Sequence, residues 1–376
     1  MGNQSSTHQY VHSLDWIRAM AIVAVVVVHS VRFGLVPFYP KTGGLLQLIL
    51  QFGRVSFIMV TGFIIAYQYR DRSPHWLKFF KRRAQSAGMP YLIWLAIFLA
   101  FSVPLWPVLP YLQQYSQVLL TGNGHLYYLI ITFQMYLLAP LLVWGLKKMQ
   151  PYLTAVGIAA MLWEVGSWTM AGYLHQSSWA PALSSTTYVG YFILGGVFGH
   201  RWQSLKQWLS RHRVWVSIAM VPLILAITGT FFFDLHWLGN LEAATSMFQP
   251  MSAIYSVGIT LGLLASGTWF EEIRQNRAKL ASRVTLVADA SFGIYLIHPI
   301  FVHGWLTVSA KLGLPFDAMV NSALAAALGV GLSVAAVALM RQLPFSESII
   351  GTARRVSSAS TKPEEHRGRT KTSYAS

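Results

Sequence analysis

The chain has 376 residues, of which 54% are hydrophobic and only 11% charged, less than half the charged share of an ordinary soluble domain. Its 28 Lys and Arg outnumber 12 Asp and Glu, for a net charge of +16. The basic residues sit in short segments between long apolar runs, which points to membrane insertion and not to a nucleic-acid partner. Cysteine is absent, which excludes disulfides, thiolate catalysis and zinc sites of the Cys type.

Residues 1–13 are polar and carry no Lys or Arg, and no A-x-A site follows the first apolar run. That run is therefore expected to be a retained helix and not a cleaved leader. The apolar stretches predict an all-α, polytopic bundle of about ten transmembrane helices, near 14–33, 45–68, 89–107, 125–146, 152–172, 187–200, 214–233, 248–269, 289–309 and 319–341. The sixth is short and rich in glycine (Gly190, Gly195, Gly196, Gly199), which suits a kinked or closely packed helix. With both ends in the cytoplasm, 23 basic residues fall in inner segments and 3 in outer ones, the asymmetry that membrane insertion favours. Residues 1–345 are expected to form one membrane domain. Residues 346–376, rich in Ser, Thr, Lys and Arg, are expected to be a disordered cytoplasmic tail near anionic lipid.

Ionisable groups inside a membrane are costly and mark functional candidates. Span one carries Arg18 near its inner end and His29 in its outer third; span two carries Arg54 near mid-membrane. Glu164 on span five and His303 on span nine fall at a depth similar to that of His29. A histidine near a carboxylate is an arrangement for general base catalysis. His298 lies mid-span, His125 opens span four at the outer surface, and Gln134 lies deeper on that helix. Arg18 and His29 are eleven residues apart and so share a helix face, about 20° past three full turns. One cavity running from Arg18 at the inner mouth to His29 is the expectation. No phosphate-binding loop, H-E-x-x-H or G-x-S-x-G motif is present, and no metal site is expected.

Several segments resemble the acyltransferase-3 family of membrane O-acyltransferases. They are Leu14-Asp15-Trp16-Ile17-Arg18-Ala19 running on to His29, Arg54-Val55-Ser56-Phe57 to Thr61-Gly62-Phe63-Ile64, and Lys81-Arg82-Arg83 followed by Pro90-Tyr91-Leu92-Ile93-Trp94. They continue with His125-Leu126-Tyr127-Tyr128-Leu129 through Tyr136 and Pro140, and with Ser291 to Pro299. Ser86 departs from the pattern, since many members carry a second Arg three residues after the first. The resemblance implies transfer of an acyl group, most often acetyl, from cytoplasmic acyl-CoA to a sugar hydroxyl of an envelope polysaccharide or glycolipid. It implies a multi-pass protein of the cell membrane in which His29 is catalytic and Arg18 supports donor binding or the site. Beside them, Arg54 and Glu164 are candidate catalytic residues, and Arg82, Arg83, His125, Gln134 and His298 candidate binding residues. A neutral His29 would take the proton of the attacking hydroxyl or carry the acyl group itself. Arg54 or Gln134 would stabilise the oxyanion. The rival reading is a glycan exporter or proton-coupled transporter.

Overall fold

The computed structural model describes residues 10–174 and 186–352, and among them there is no strand. The helices are α1 (Ser13–Ser30), α2 (Pro40–Leu50), α3 (Phe52–Tyr69), α4 (Trp76–Arg83), α5 (Met89–Ala100), α6 (Val108–Val118), α7 (Tyr127–Lys148) and α8 (Leu153–Leu174). Beyond residue 185 follow α9 (Val189–His200), α10 (Trp202–Ile218), α11 (Met220–Leu238), α12 (Leu241–Thr245), α13 (Pro250–Asn276), α14 (Ala278–Lys311), α15 (Ala318–Met340) and α16 (Ser346–Ile350). Local chemistry sets several of the starts. Pro40 and Pro250 open α2 and α13, and Pro90 lies in the first turn of α5, where no amide partner is needed. Asp317 caps α15 by accepting the amides of Met319 and Val320 at 2.7 and 2.9 Å. Gly239, at a φ of +61°, lets α11 end in the left-handed region.

Each expected span falls on a helix, but the bounds and lengths differ. Among the described residues, seven helical stretches are long and apolar enough to cross a bilayer, including Ser13–Leu35, Pro40–Tyr69, Gly124–Lys148 and Ala278–Lys311. Helices α5 and α9 have only 12 residues each, about 18 Å of rise. The span expected at 214–233 is broken at Ala219 and becomes Met220–Leu238. The span expected at 289–309 runs back to Ala278, because the polar stretch before it stays helical. Leu137, Leu141, Trp144, Leu225, Phe232 and Phe233 are exposed on the flanks. Such a surface suits lipid and would be untenable in water.

Helix α1 is the axis of the bundle, packed against α3, α13, α14 and α15. Its start is tied down by Glu271 on α13, whose Oε1 accepts the Ser13 amide and hydroxyl at 3.0 and 2.6 Å. Lys206 of α10 pairs with the other carboxylate oxygen at 2.6 Å. Further in, Trp16 donates to Ser266 (3.0 Å) and Ser56 of α3 meets Thr260 of α13 (2.8 Å). Such interhelical bonds hold apolar helices together where lipid is as apolar as leucine.

The glycine-rich stretch expected at 187–200 forms a closely packed helix, α9. A Cβ on Gly195 of α9 would stand 2.0 Å from the Met59 carbonyl oxygen of α3, and one on Gly62 would stand 2.1 Å from that of Phe192. Backbone has replaced side chains at this crossing, and backbone cannot step aside. Gly195→Leu is therefore expected to force the helices apart, at a cost of at least the 1–3 kcal/mol typical of overpacking. Gly145→Ala, at a position with open space around it, serves as the control. Thermal unfolding and gel-filtration profiles of the purified variants read the difference; an unchanged Gly195→Leu profile would contradict this packing.

The boundary expected at residue 345 falls inside packed structure. Ser346 and Ile350 are fully buried, and the Ile349 carbonyl accepts the Trp94 indole at 2.8 Å. The tail sequence is polar, yet its first turn carries two isoleucines, and these seat α16 on α5 and α14. The rest of the expected tail, 353–376, lies outside the described residues. Deleting 346–376 is expected to lower the melting temperature by several degrees, the burial of one large apolar side chain being worth about 1.5–3 kcal/mol. Deleting 353–376 is expected to leave it within about a degree. Equal melting temperatures for the two truncations would overturn this.

Candidate functional site

The site is built around one face of α1 and one face of α14. Eleven residues of helix separate Arg18 from His29, about 16 Å of rise. At the Arg18 level a cavity of about 350 Å³ opens between α1, α3, α7 and α14. Arg18, Arg83, Thr132, Tyr136, Asp289 and Ser291 line it, with Tyr128 and Tyr295 among its deeper residues. Arg18 donates to the Ser291 hydroxyl at 3.2 Å. Arg83 lies over the rings of Tyr136 (4.9 Å) and Phe79 (5.3 Å), a cation–π placement that holds a guanidinium without neutralising it. Arg82 is exposed and is not among the lining residues. Of the two adjacent candidates, the cavity receives Arg83. Ser86, where the family pattern has a second Arg, also lines it.

The histidines form a separate cluster. The ring of His29 lies 4.9 Å from that of His298 and 6.1 Å from that of His125, and these last two are 5.4 Å apart. His125 does not sit at the outer surface as expected: the 3₁₀ turn Gly124–Leu126 carries it inward, against Phe98 at 4.9 Å. His298 is fully buried, and its Nδ1 lies 2.9 Å from the Tyr295 carbonyl and 3.0 Å from that of Ile294. Carbonyls only accept, so Nδ1 carries the hydrogen and Nε2 presents its lone pair. That Nε2 is buried with no hydrogen-bond partner among the described residues, and so is the Nε2 of His125. His29 is only partly buried. His303 packs on Phe33 at 4.2 Å, which in turn stacks on His29 at 6.2 Å.

The cavity does not run through to His29. Tyr128 and Tyr295 stand between the two sites: the Tyr295 hydroxyl donates to the His125 carbonyl, and the Tyr128 hydroxyl to the Arg54 carbonyl at 2.9 Å. The eleven-residue spacing gave the shared face correctly, but bulky aromatic residues from α7 and α14 fill the space between.

The other candidates separate into two groups. Arg54 lies beside the cluster, because α3 crosses α1 at Gly53, whose missing Cβ would meet Ala21 and Val25, one turn before His29. Its guanidinium donates to the Tyr127 hydroxyl (2.5 Å), to Gln51 Oε1 (2.7 Å) and to the Met247 sulfur (2.7 Å), and among the described residues it has no carboxylate partner. Gln134 sits on α7 with a buried, unpaired Oε1. Glu164 does not join His29 in the way its depth suggested. It points into the seam between α8 and α9, where Oε1 accepts the Tyr191 amide at 3.0 Å. A Cβ on Gly190 would stand 2.6 Å from its Cγ, so the seam is tightly closed.

Sequence reasoning missed the two partition tyrosines and two π turns. The π turns, Val31–Leu35 and Ala84–Gly88, follow within two residues of His29 and of Arg83. Such turns gather at functional sites, but nothing in the local sequence announces them. Tyr295 carried a readable signal: Ser291, Tyr295 and His298 recur every three or four residues along one face of α14. No group of three His, Asp or Glu side chains among the described residues is arranged to hold a metal ion.

Comparison with known proteins shows the family of the chain. The probable poly-beta-1,6-N-acetyl-D-glucosamine export protein of Staphylococcus aureus strain MRSA252 is 21% identical over 355 residues, which cover 90% of this chain and 95% of the relative. That of strain MSSA476 is 20% identical over the same span. No solved structure matches the chain. A family model described as an acyltransferase domain matches residues 11–341, from the start of α1 to the end of α15, and the chain thus belongs to the acyltransferase-3 family.

Proposed function

We propose that this chain is a membrane O-acyltransferase that moves an acyl group, in the first instance acetyl, from cytoplasmic acyl-CoA to a sugar hydroxyl of an envelope polysaccharide or glycolipid. The observation that carries this reading is a cationic cavity, with Arg18 and Arg83, set back to back across a wall of two tyrosines with a histidine cluster in which the Nε2 atoms of His125 and His298 have no partner among the described residues. An anionic donor suits the first compartment, and an alcohol acceptor needing a base suits the second. The orientation that goes with it has ten spans and both ends in the cytoplasm of a plasma-membrane protein. The cavity then faces the cytoplasm, in agreement with the 23 to 3 distribution of basic residues.

This mechanism requires the Tyr128 and Tyr295 partition to open far enough for the acyl-CoA thioester to reach His29. His29, unprotonated, takes the hydroxyl proton as the sugar oxygen attacks the thioester carbonyl carbon. The C–S bond breaks, and the departing thiolate recovers the proton from His29. Should the imidazole itself receive the acyl group first, the same unprotonated His29 is required. His298, held by two backbone carbonyls through Nδ1, packs its ring 4.9 Å from that of His29. Arg54, with no carboxylate to neutralise it, is available to the oxyanion.

A second reading, glycan export or proton-coupled transport, draws support from the name its relatives carry. Sealed vesicles of known orientation, given labelled acyl-CoA on one side and glycan acceptor on the other, separate the two. Ester label on the acceptor with donor supplied only at the cytoplasmic face is the expected outcome. Glycan movement with no ester formed would favour export, and label only with donor outside would reverse the orientation.

Substitutions divide the compartments. His29→Gln keeps a hydrogen bond and loses the base, so acyl transfer is expected to fall about 10²–10⁴-fold with the donor KM little changed. Arg83→Gln is expected to raise the donor KM about tenfold, while Arg82→Gln leaves it unaltered. Steady-state kinetics on well-folded protein check all three; a near wild-type rate for His29→Gln would sink the proposed mechanism.

A further inference from the structure

A second basic cavity, of about 590 Å³, opens away from the donor cavity, and four helix ends converge on it. Arg70 comes from the end of α3, Lys147 from the end of α7, and Arg201 from the junction of α9 and α10; Gln150 and Leu153 mark the start of α8. Its one carboxylate, Asp71, is engaged by Arg70 at 2.9 Å. Lys147 donates to the Arg72 carbonyl (2.8 Å) and Arg201 to the Thr154 hydroxyl (2.7 Å). Neither has an ion pair among the described residues, so the cleft keeps an excess of two positive charges.

This cleft is continuous with an apolar groove of about 500 Å³. Leu153, Arg201 and Ser204 line both. From that seam the groove follows α8 past Gly157 and Ile158 to Met161, walled by Leu194 and Val197 of α9 and by Leu261 of α13. Eight residues of helix separate Leu153 from Met161, about 12 Å. Ile158 is exposed on this face, so the groove opens towards the bilayer and not into the bundle. Topology alone accounts for basic residues at the inner pole. It does not account for an apolar trough that starts between two of them and runs down the lipid-facing flank.

A polar, cationic head compartment joined to an apolar trough has the shape and charge of one class of ligand. We propose that this site binds an anionic phospholipid, with its phosphate among Lys147, Arg201 and Arg70 and an acyl chain along α8. A lipid there would clamp α8 to α9 and α10, and so brace the flank of α3 that α9 supports. Basic pockets between helices at a cytoplasmic face are known to take such headgroups.

The test uses full-length protein in detergent, with bound lipid counted by native mass spectrometry. Phosphatidylglycerol and phosphatidylcholine with identical acyl chains are titrated separately. Preferential retention of phosphatidylglycerol by tenfold or more is expected. The double variant Lys147→Gln with Arg201→Gln should weaken it about thirtyfold, the usual effect of two basic residues at a headgroup surface. Gly157→Leu fills the trough and leaves every charge in place, and should also weaken retention. Equal retention of the two lipids by wild-type protein, which needs no variant, would overturn the proposal. So would displacement of phosphatidylglycerol by millimolar inorganic phosphate or by micromolar coenzyme A, since either would make the cleft a soluble-anion site. Unchanged affinity in both variants would overturn it as well.

Discussion

The carbonyl of Tyr295 has no amide to receive it, because the residue four places on is Pro299. In a membrane such a group cannot turn to water, and leaving it unpaired costs several kcal/mol. The His298 ring satisfies it through Nδ1 at 2.9 Å, and that one bond settles the chemistry of the ring. The hydrogen is committed to the helix, the lone pair of Nε2 faces the cluster, and the ring cannot rotate without orphaning a carbonyl. The same turn of α14 aims the Tyr295 hydroxyl at the His125 backbone. A single proline thus fixes a tautomer, anchors the turn that carries His125, and raises one half of the partition.

Under the proposed mechanism, the partition reconciles two incompatible requirements on one helix face. A highly charged donor needs cations and access to water; a base that removes a proton from an alcohol works best neutral, among apolar groups. Arg18 and His29, about 16 Å apart on α1, meet these needs separately only if something insulates them. Tyr128 and Tyr295 do so, each with its hydroxyl held by a backbone carbonyl. The π turn after His29 serves the same end. A Cβ at Gly34, within that turn, would stand 2.5 Å from the Ser322 hydroxyl, so α1 is drawn against α15 just beyond the histidine.

The all-helical bundle was legible because lipid imposes a coarse rule: long apolar runs, with basic residues between them. Arg18, His29 and Arg54 were legible for the converse reason, as ionisable groups where none belongs without cause. Depth along a helix was readable, but rotation between helices was not. His29 and Glu164 share a depth and face different neighbours, His298 in one case and Tyr191 in the other. Arg82 and Arg83 are adjacent and differ by about 100° around α4, which alone decides that the second lines the cavity. His125 looked like a surface residue because it precedes the apolar run; a short 3₁₀ turn folded it inward. Helix ends failed where polar residues prolong a helix beyond the membrane, as in Ala278 to Arg283.

The glycine crossing between α3 and α9 bears on the chemistry as well as the fold. With backbone in contact at Gly62 and Gly195, these two helices cannot slide or roll without a clash. Helix α3 carries Arg54 near one end and, through Thr61 and Phe57, a wall of the Arg18 cavity. Helix α9 is too short to hold α3 by apolar area alone, and close backbone approach compensates by multiplying dispersion contacts over few residues. The buried side chain of Glu164 then makes sense as part of the brace. Accepting an amide at the first turn of α9 ties that helix to α8. A candidate drawn from the cost of burying a charge thus ties together α8 and α9, the helix that packs against the α3 stretch carrying Arg54.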